Sequence, residues 1–246
     1  MTEKLSSEDE RFAEIADNIR RVRENIAKAA QRAGRRPEEV TLVAVTKTKP
    51  ASDVNAALRC GVTVMGENRV QELLGKLPDI DLPAGRQVHL IGHLQTNKVK
   101  MVVGHVDMIQ SLDSLRLARE IDRQAERAGR VMDVLVEVNI GGEESKTGVR
   151  LPDLAALLDG ARPLRHIRVC GLMAIPPRDA GPERMRAYFE QMRKLFIDIR
   201  AEKLDNRDIR VLSMGMSSDY ELAVEEGATM VRVGSAIFGA RGPAAR

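Results

Sequence analysis

Apolar and polar positions change period repeatedly along this chain, and each change marks an element. Residues 8–33 place Phe12, Ile15, Ile19, Val22, Ile26, Ala29 and Ala33 on one stripe at helical spacing, which predicts a single amphipathic helix. Gly34 stands where a C-terminal cap belongs, and Pro37 follows it. The last third of the stripe is alanine, which favours packing against the rest of the chain over a dimer seam. Beyond it the pattern alternates. Short runs rich in Val, Ile and Leu predict strands near 41–46, 62–65, 87–91, 106–110, 132–139, 167–173, 209–213 and 230–233. Between them, helical patterns cover about 51–60, 68–76, 95–103, 113–129, 151–159, 182–202 and 217–226, with a short helix from 235.

Strand–helix alternation demands a parallel sheet, and about eight units predict closure into a (β/α)8 TIM-type barrel. The rival is an open doubly wound sheet, which usually carries a glycine-rich turn after its first strand. Here that turn reads Thr46-Lys47-Thr48-Lys49-Pro50. The barrel is the better fit. No Gly/Ser/Pro linker divides the sequence, so residues 1–246 are read as one domain, with an extra N-terminal helix (8–33) and the barrel over about 41–240.

Composition narrows the function classes. Lys plus Arg is 39 against Asp plus Glu 36, and the charges are interspersed, so no basic arm for nucleic acid stands out. Six aromatic side chains (Tyr 2, Phe 4, Trp 0) are too few for base-stacking platforms. The first ten residues are acidic and lack the apolar core of a secretion signal. No apolar run approaches the ~20 residues a membrane span needs. Cys60 and Cys170 fit small reduced hydrophobes. The expected setting is the cytoplasm.

In such barrels the working groups lie where strands end and helices begin. Those ends carry Lys47, Glu67-Asn68, Gly92-His93, Asn139, Met173, the run Ser213 to Ser217, and Arg232 to Ser235. A lone strand-end lysine is usually solvated. At the mouth of a barrel, desolvation and nearby cations instead favour the neutral amine that attacks aldehydes. The loops after strands seven and eight are the usual phosphate cradle of this architecture. Ser217 or Ser218 could cap the first of the two helices they open, with Ser218 and Glu221 spaced as a capping box. Each loop alone reads as a helix cap; two in succession point to phosphate. Arg232 alternates with Val231 and Val233 and so faces the barrel interior. Its acceptor is either a carboxylate of the chain or a ligand's ring nitrogen or phosphate.

Other signals carry less. Gly141 to Gly148 has two carboxylates and no glycine before its lysine, unlike a nucleotide loop. His89 and His93 are separated by a strand end and a turn, so they make no zinc site. His105 and His166 read as loop histidines, and Met173, Met214 and Met216 as packing residues.

These residues resemble one family throughout. Val43-Ala44-Val45-Thr46-Lys47, Gly66-Glu67-Asn68-Arg69-Val70-Gln71-Glu72, Ile91-Gly92-His93-Leu94-Gln95-Thr96-Asn97-Lys98, Glu144-Ser145-Lys146-Thr147-Gly148, Leu212-Ser213-Met214-Gly215-Met216-Ser217 and Val231-Arg232-Val233-Gly234-Ser235 match the pyridoxal phosphate homeostasis proteins, in order. Their fold is similar to the alanine racemase barrel. The resemblance implies pyridoxal 5′-phosphate (PLP) held as a Schiff base on Lys47, with no metal. Ser213, Met216, Ser217, Gly234 and Ser235 would hold the phosphate, Arg232 would face the pyridine nitrogen, and Asn68 would lie beside the cofactor. Val88 replaces an aromatic residue often found there.

The implied role is vitamin B6 homeostasis without robust turnover or catalytic residues, with PLP-dependent apoenzymes as candidate recipients and a monomer expected over a dimer. An arginine at the ring nitrogen weakens the electron sink and disfavours transamination. Racemisation would need a second proton carrier, which alanine racemase takes from a tyrosine of another domain; Tyr188 and Tyr220 are weak substitutes. Two alternatives stay open, a weak PLP-dependent amino-acid racemase and a cofactor-free barrel aldolase using Lys47.

Overall fold

The computed structural model describes residues 6–143, 146–177, 179–202 and 207–240. Eight strands, β1 (Thr41–Val45), β2 (Val64–Glu67), β3 (Gln87–Leu90), β4 (Met108–Leu112), β5 (Met132–Val138), β6 (Ile167–Ala174), β7 (Arg207–Ser213) and β8 (Met230–Val233), pair in parallel in chain order. β8 closes onto β1 with Leu42 opposite Val231 and Val43 opposite Arg232. The helices are α1 (Ser7–Arg32), α2 (Ala51–Arg59), α3 (Val70–Lys76), α4 (Val99–Val102), α5 (Leu115–Arg127), α6 (Leu154–Ala161), α7 (Pro182–Ala201), α8 (Tyr220–Glu225) and α9 (Ser235–Phe238). The (β/α)8 barrel and its extra N-terminal helix are therefore as the sequence predicts.

Several boundaries differ by two or three residues, and two of the strand starts show why. β2 and β4 begin two residues later than their apolar runs suggest, at Val64 and Met108. Val62 and Val106 are buried in the turns before these strands, so they read as strand residues although the ladder starts beyond them. The predicted helix over 95–103 is a 3-10 turn (Thr96–Lys98) followed by α4.

α1 begins on a capping box, in which the Asp9 amide donates to Ser6 Oγ at 3.2 Å and the Ser6 amide donates to the Asp9 carboxylate at 3.3 Å. Its buried face, Ile15, Ile19, Val22, Ile26 and Ala29, packs against α2, α8 and α9 of the same chain. Asn18, which the apolar stripe omitted, is also buried there and donates to the Ile237 carbonyl at 2.8 Å. Phe12 is instead partly exposed, beneath the Arg59 guanidinium.

Two apolar layers surround the strands. The outer one lies between strands and helices; the inner one packs Val43, Val64, Met108, Leu135, Cys170, Met173, Val211 and Met230 inside the barrel. β6 bulges where it passes β7. Gly171 sits in that bulge at φ 151°, and a Cβ there would lie 1.7 Å from the Val211 carbonyl oxygen.

A polar chain crosses the inner layer. Gln110, wholly buried, is 2.9 Å from His89 Nδ1 through its amide nitrogen, and its carbonyl accepts from Ser213 Oγ at 2.7 Å. Burial pushes the His89 imidazole down to about 4, with Asp133 opposing.

Two outcomes test this packing. Gly171→Ala is expected to lower stability by about 2 kcal/mol or more, because a backbone oxygen must move; urea unfolding measures it. His89 binds its proton more readily when unfolded, so its contribution is present above pH 6.5 and is lost as pH falls from 6.5 towards about 4. At ~1.4 kcal/mol per pH unit this is on the order of 3 kcal/mol. His89→Asn, which keeps an acceptor, should flatten the stability-against-pH curve over that window.

Candidate functional site

Lys47 lies two residues beyond β1, in a turn held from beneath. Thr46 Oγ1 donates to Glu67 Oε1 at 2.6 Å. Lys76, one helical turn after Glu72 on α3, donates to the Thr46 carbonyl at 2.9 Å, to Glu67 Oε1 at 2.6 Å and to Glu72 Oε1 at 3.2 Å. The Thr48 amide also donates to Glu72, and Thr48 adopts the left-handed region at φ 62°. A non-glycine residue there costs about 1–3 kcal/mol, and the Glu72 and Lys76 bonds offset that cost. Burial pushes the Glu67 carboxyl up while Lys76 draws it back down. Sequence alone gives Lys76 no role and marks Glu72 only as the end of the matched stretch Gly66 to Glu72. Their i,i+4 spacing is the one signal they leave, and it is shared by ordinary surface pairs.

Lys47 opens onto a cavity of about 900 Å³ at the carboxyl ends of the strands. Asn68, Met216, Ser217, Arg232, Gly234 and Ser235 line the same cavity, together with Val45 and Tyr220. Seven of the eight residues singled out from sequence are thus brought together. Asn68 follows β2 directly, and its Oδ1 is buried without a partner. Its backbone is fixed by Gly92, where any Cβ would lie 2.3 Å from the Asn68 carbonyl oxygen.

Ser213 is the exception. Its side chain is wholly buried below the cavity and does not line it; it donates to Gln110 and accepts from Arg232 Nη1 at 2.6 Å. Its strand parity points it inward with Arg232, one layer too deep to serve as a phosphate-binding hydroxyl. Ser217 differs from expectation in another way. Asp219, not Ser217 or Ser218, is the residue before α8, and no Ser218–Glu221 capping box forms. Asp219 Oδ1 instead accepts from the Met216 amide at 2.6 Å. Ser217 Oγ reaches across to the next loop, accepting from the Gly234 amide at 3.1 Å and the Ala236 amide at 3.4 Å. One hydroxyl therefore ties the two predicted cradle loops to each other.

Arg232 is buried with neutral partners. Nη1 donates to Ser213 Oγ and Nη2 to the Ala174 carbonyl at 2.9 Å; neither bond uses Nε, and the residue lines the cavity. Burial pushes its guanidinium down to about 10, with Glu137 and Asp219 pulling it back through longer-range attraction. It stays charged at neutral pH, in a wall that supplies no directly bonded carboxylate. Of the two acceptors open from sequence, the carboxylate of the chain is absent among its described partners.

Tyr220 reaches the cavity wall, but its hydroxyl accepts from Asn25 Nδ2 of α1 at 3.0 Å, and burial pushes its acidity further from neutral. Lys49, also in the wall, donates to the Phe238 carbonyl at 2.9 Å. Glu144 and Ser145 of the matched loop lie outside the described residues. Among the described residues no group of three or more His, Cys, Asp or Glu side chains could hold a metal, and no helix is long and apolar enough to cross a membrane.

Residues 18–242 match the family model described as alanine racemase, N-terminal domain. A pyridoxal phosphate homeostasis protein of Aquifex aeolicus is 46% identical over 228 residues, covering 92% of this chain and 97% of that one. Among solved structures, an unknown protein from Bifidobacterium adolescentis superposes with a TM-score of 0.89 at 38% identity, covering 96% of this chain and 98% of that one. PipY of Synechococcus elongatus PCC7942, solved with PLP bound, gives a TM-score of 0.79 at 35% identity, covering 92% of this chain and all of that one. With the family model matched over residues 18–242, which include all eight strands, the chain belongs to the pyridoxal phosphate homeostasis proteins, within the alanine racemase N-terminal-domain family.

Proposed function

We propose that this protein binds PLP, covalently through Lys47, and serves vitamin B6 homeostasis in the cytoplasm without robust catalytic turnover. The observation that carries this reading is the cavity that gathers Lys47, Asn68 and Arg232 at one barrel mouth. The residues fit the cofactor's groups. The buried, unpartnered Asn68 Oδ1 can accept from a ring hydroxyl, and Arg232 keeps a donor for a ring nitrogen. The Ser217-linked loops present the Ser217 hydroxyl hydrogen and the Ser235 hydroxyl, both in the cavity wall, to a phosphate. Close relatives named for pyridoxal phosphate homeostasis, and PipY with PLP bound, support the same assignment.

Bound PLP supplies an aldehyde and an electron-withdrawing ring. Lys47 Nζ would add to the aldehyde carbon, and loss of one water would leave a carbon–nitrogen double bond. Water, or a competing amine, reverses that step. Arg232 holds its proton at neutral pH, so as a donor it would keep the ring nitrogen unprotonated and the sink weak. A racemase needs a proton carrier on the face opposite Lys47. Tyr220 is the tyrosine in the wall, and its hydroxyl is engaged by Asn25 and pushed away from neutrality. Storage and exchange follow from a site that would form the linkage on Lys47 while the described tyrosine of its wall, Tyr220, is not poised as a second base.

Wild-type protein mixed with PLP is expected to gain a visible imine absorption that borohydride abolishes. Lys47→Ala should lack that band and bind PLP at least roughly tenfold more weakly, ~1.4 kcal/mol. A band retained in Lys47→Ala would refute the lysine assignment. Solvent deuterium entering the α-carbon of an amino acid at catalytic rates would favour the racemase.

A further inference from the structure

Barrel interiors are normally filled with apolar side chains, and every strand here but β3 contributes one to the inner cluster. The polar chain from β3 across β4 and β7 to β8 therefore calls for an explanation. Its donors run in one sense. Arg232 Nη1 donates to Ser213 Oγ at 2.6 Å, and Ser213 donates to Gln110 Oε1 at 2.7 Å. Gln110 Nε2 lies 2.9 Å from His89 Nδ1, and His89 Nε2 lies 3.2 Å from Gln87 Oε1. An amide nitrogen only donates, so His89 Nδ1 must accept and Nε2 must carry the hydrogen that Gln87 receives. The buried, neutral imidazole suits that tautomer.

The direction of each bond fixes the next. With its nitrogen on His89, Gln110 can turn only its oxygen towards Ser213. The Ser213 hydrogen then points to Gln110 and its lone pairs to Arg232. Ala174 takes Nη2, so the guanidinium is held at both terminal nitrogens, keeps three of its five N–H donors outside these two bonds, and still lines the cavity. Nothing in this chain of bonds neutralises Arg232. It aims it.

We propose that Gln110 is a positioning residue that holds the Arg232 guanidinium in register with the pyridine nitrogen of bound PLP, acting through Ser213 and oriented by His89. This rests on the PLP assignment above. Gln110 does not line the cavity and touches no ligand itself. Its effect should therefore appear only with ligands that carry a ring nitrogen.

The test compares PLP with its benzene analogue, in which a C–H replaces the ring nitrogen while the aldehyde, hydroxyl and phosphate remain. Affinities are read by absorption titration of wild type, Gln110→Met and Ser213→Ala. Wild type should prefer PLP by about tenfold, the scale of one hydrogen bond from a charged donor. In both variants that preference should collapse towards unity, with the analogue's affinity held within about twofold. Ser213→Ala removes only one oxygen, so it keeps the test open if Gln110→Met does not fold. Equal weakening of both ligands, or a preference left intact, would overturn the positioning role. Wild type that forms no imine band with either aldehyde would instead refute the PLP assignment.

Discussion

A guanidinium enclosed in a barrel, bonded to a hydroxyl and a peptide carbonyl but to no carboxylate, is costly to keep. An unpaired buried charge costs several kcal/mol unless hydrogen bonds satisfy it. The protein supports Arg232 with Ser213 and the Ala174 carbonyl, and leaves Glu137 and Asp219 to act from further away. One carboxylate in place of the two neutral acceptors would neutralise the guanidinium and leave less charge for a ligand. The arrangement is explicable as a site that reserves its charge for a ligand.

The same economy governs the lysine. Closure of eight parallel strands places the carboxyl ends of β1, β2, β7 and β8 around one mouth. The Lys76–Glu67–Glu72 cluster then fixes the turn that carries Lys47, and Ser217 locks the two loops that follow β7 and β8. Rigid support lies one layer below Lys47 and the two loops of the cavity wall. The cavity wall itself stays unsaturated, as the buried Asn68 oxygen shows.

Most of the fold was legible because strand and helix periods differ and the strands of a closed parallel barrel are apolar on both faces. The site was legible because barrel geometry assigns chemistry to strand ends, which alone marks Lys47, Asn68 and Arg232. Depth was not. Ser213 and Ser217 look equivalent in a serine-flanked loop, yet one is an interior link and the other a tie between loops. Strand parity could have separated Ser213, which shares its face with Val211. Gln110 had a similar signal, since it shares the inward parity of Met108 in a run that otherwise reads apolar. Lys76 and Glu72 had only an i,i+4 spacing that surface pairs share, because the tertiary fold alone brings α3 against the turn after β1.

Residue-level mapping of the covalent linkage tests the account most directly. After incubation with PLP and borohydride reduction, proteolysis and mass spectrometry should find a single reduced pyridoxyl phosphate adduct on the peptide that contains Lys47. An adduct on Lys49, Lys76 or any other lysine in place of Lys47, or no adduct at all, would contradict it.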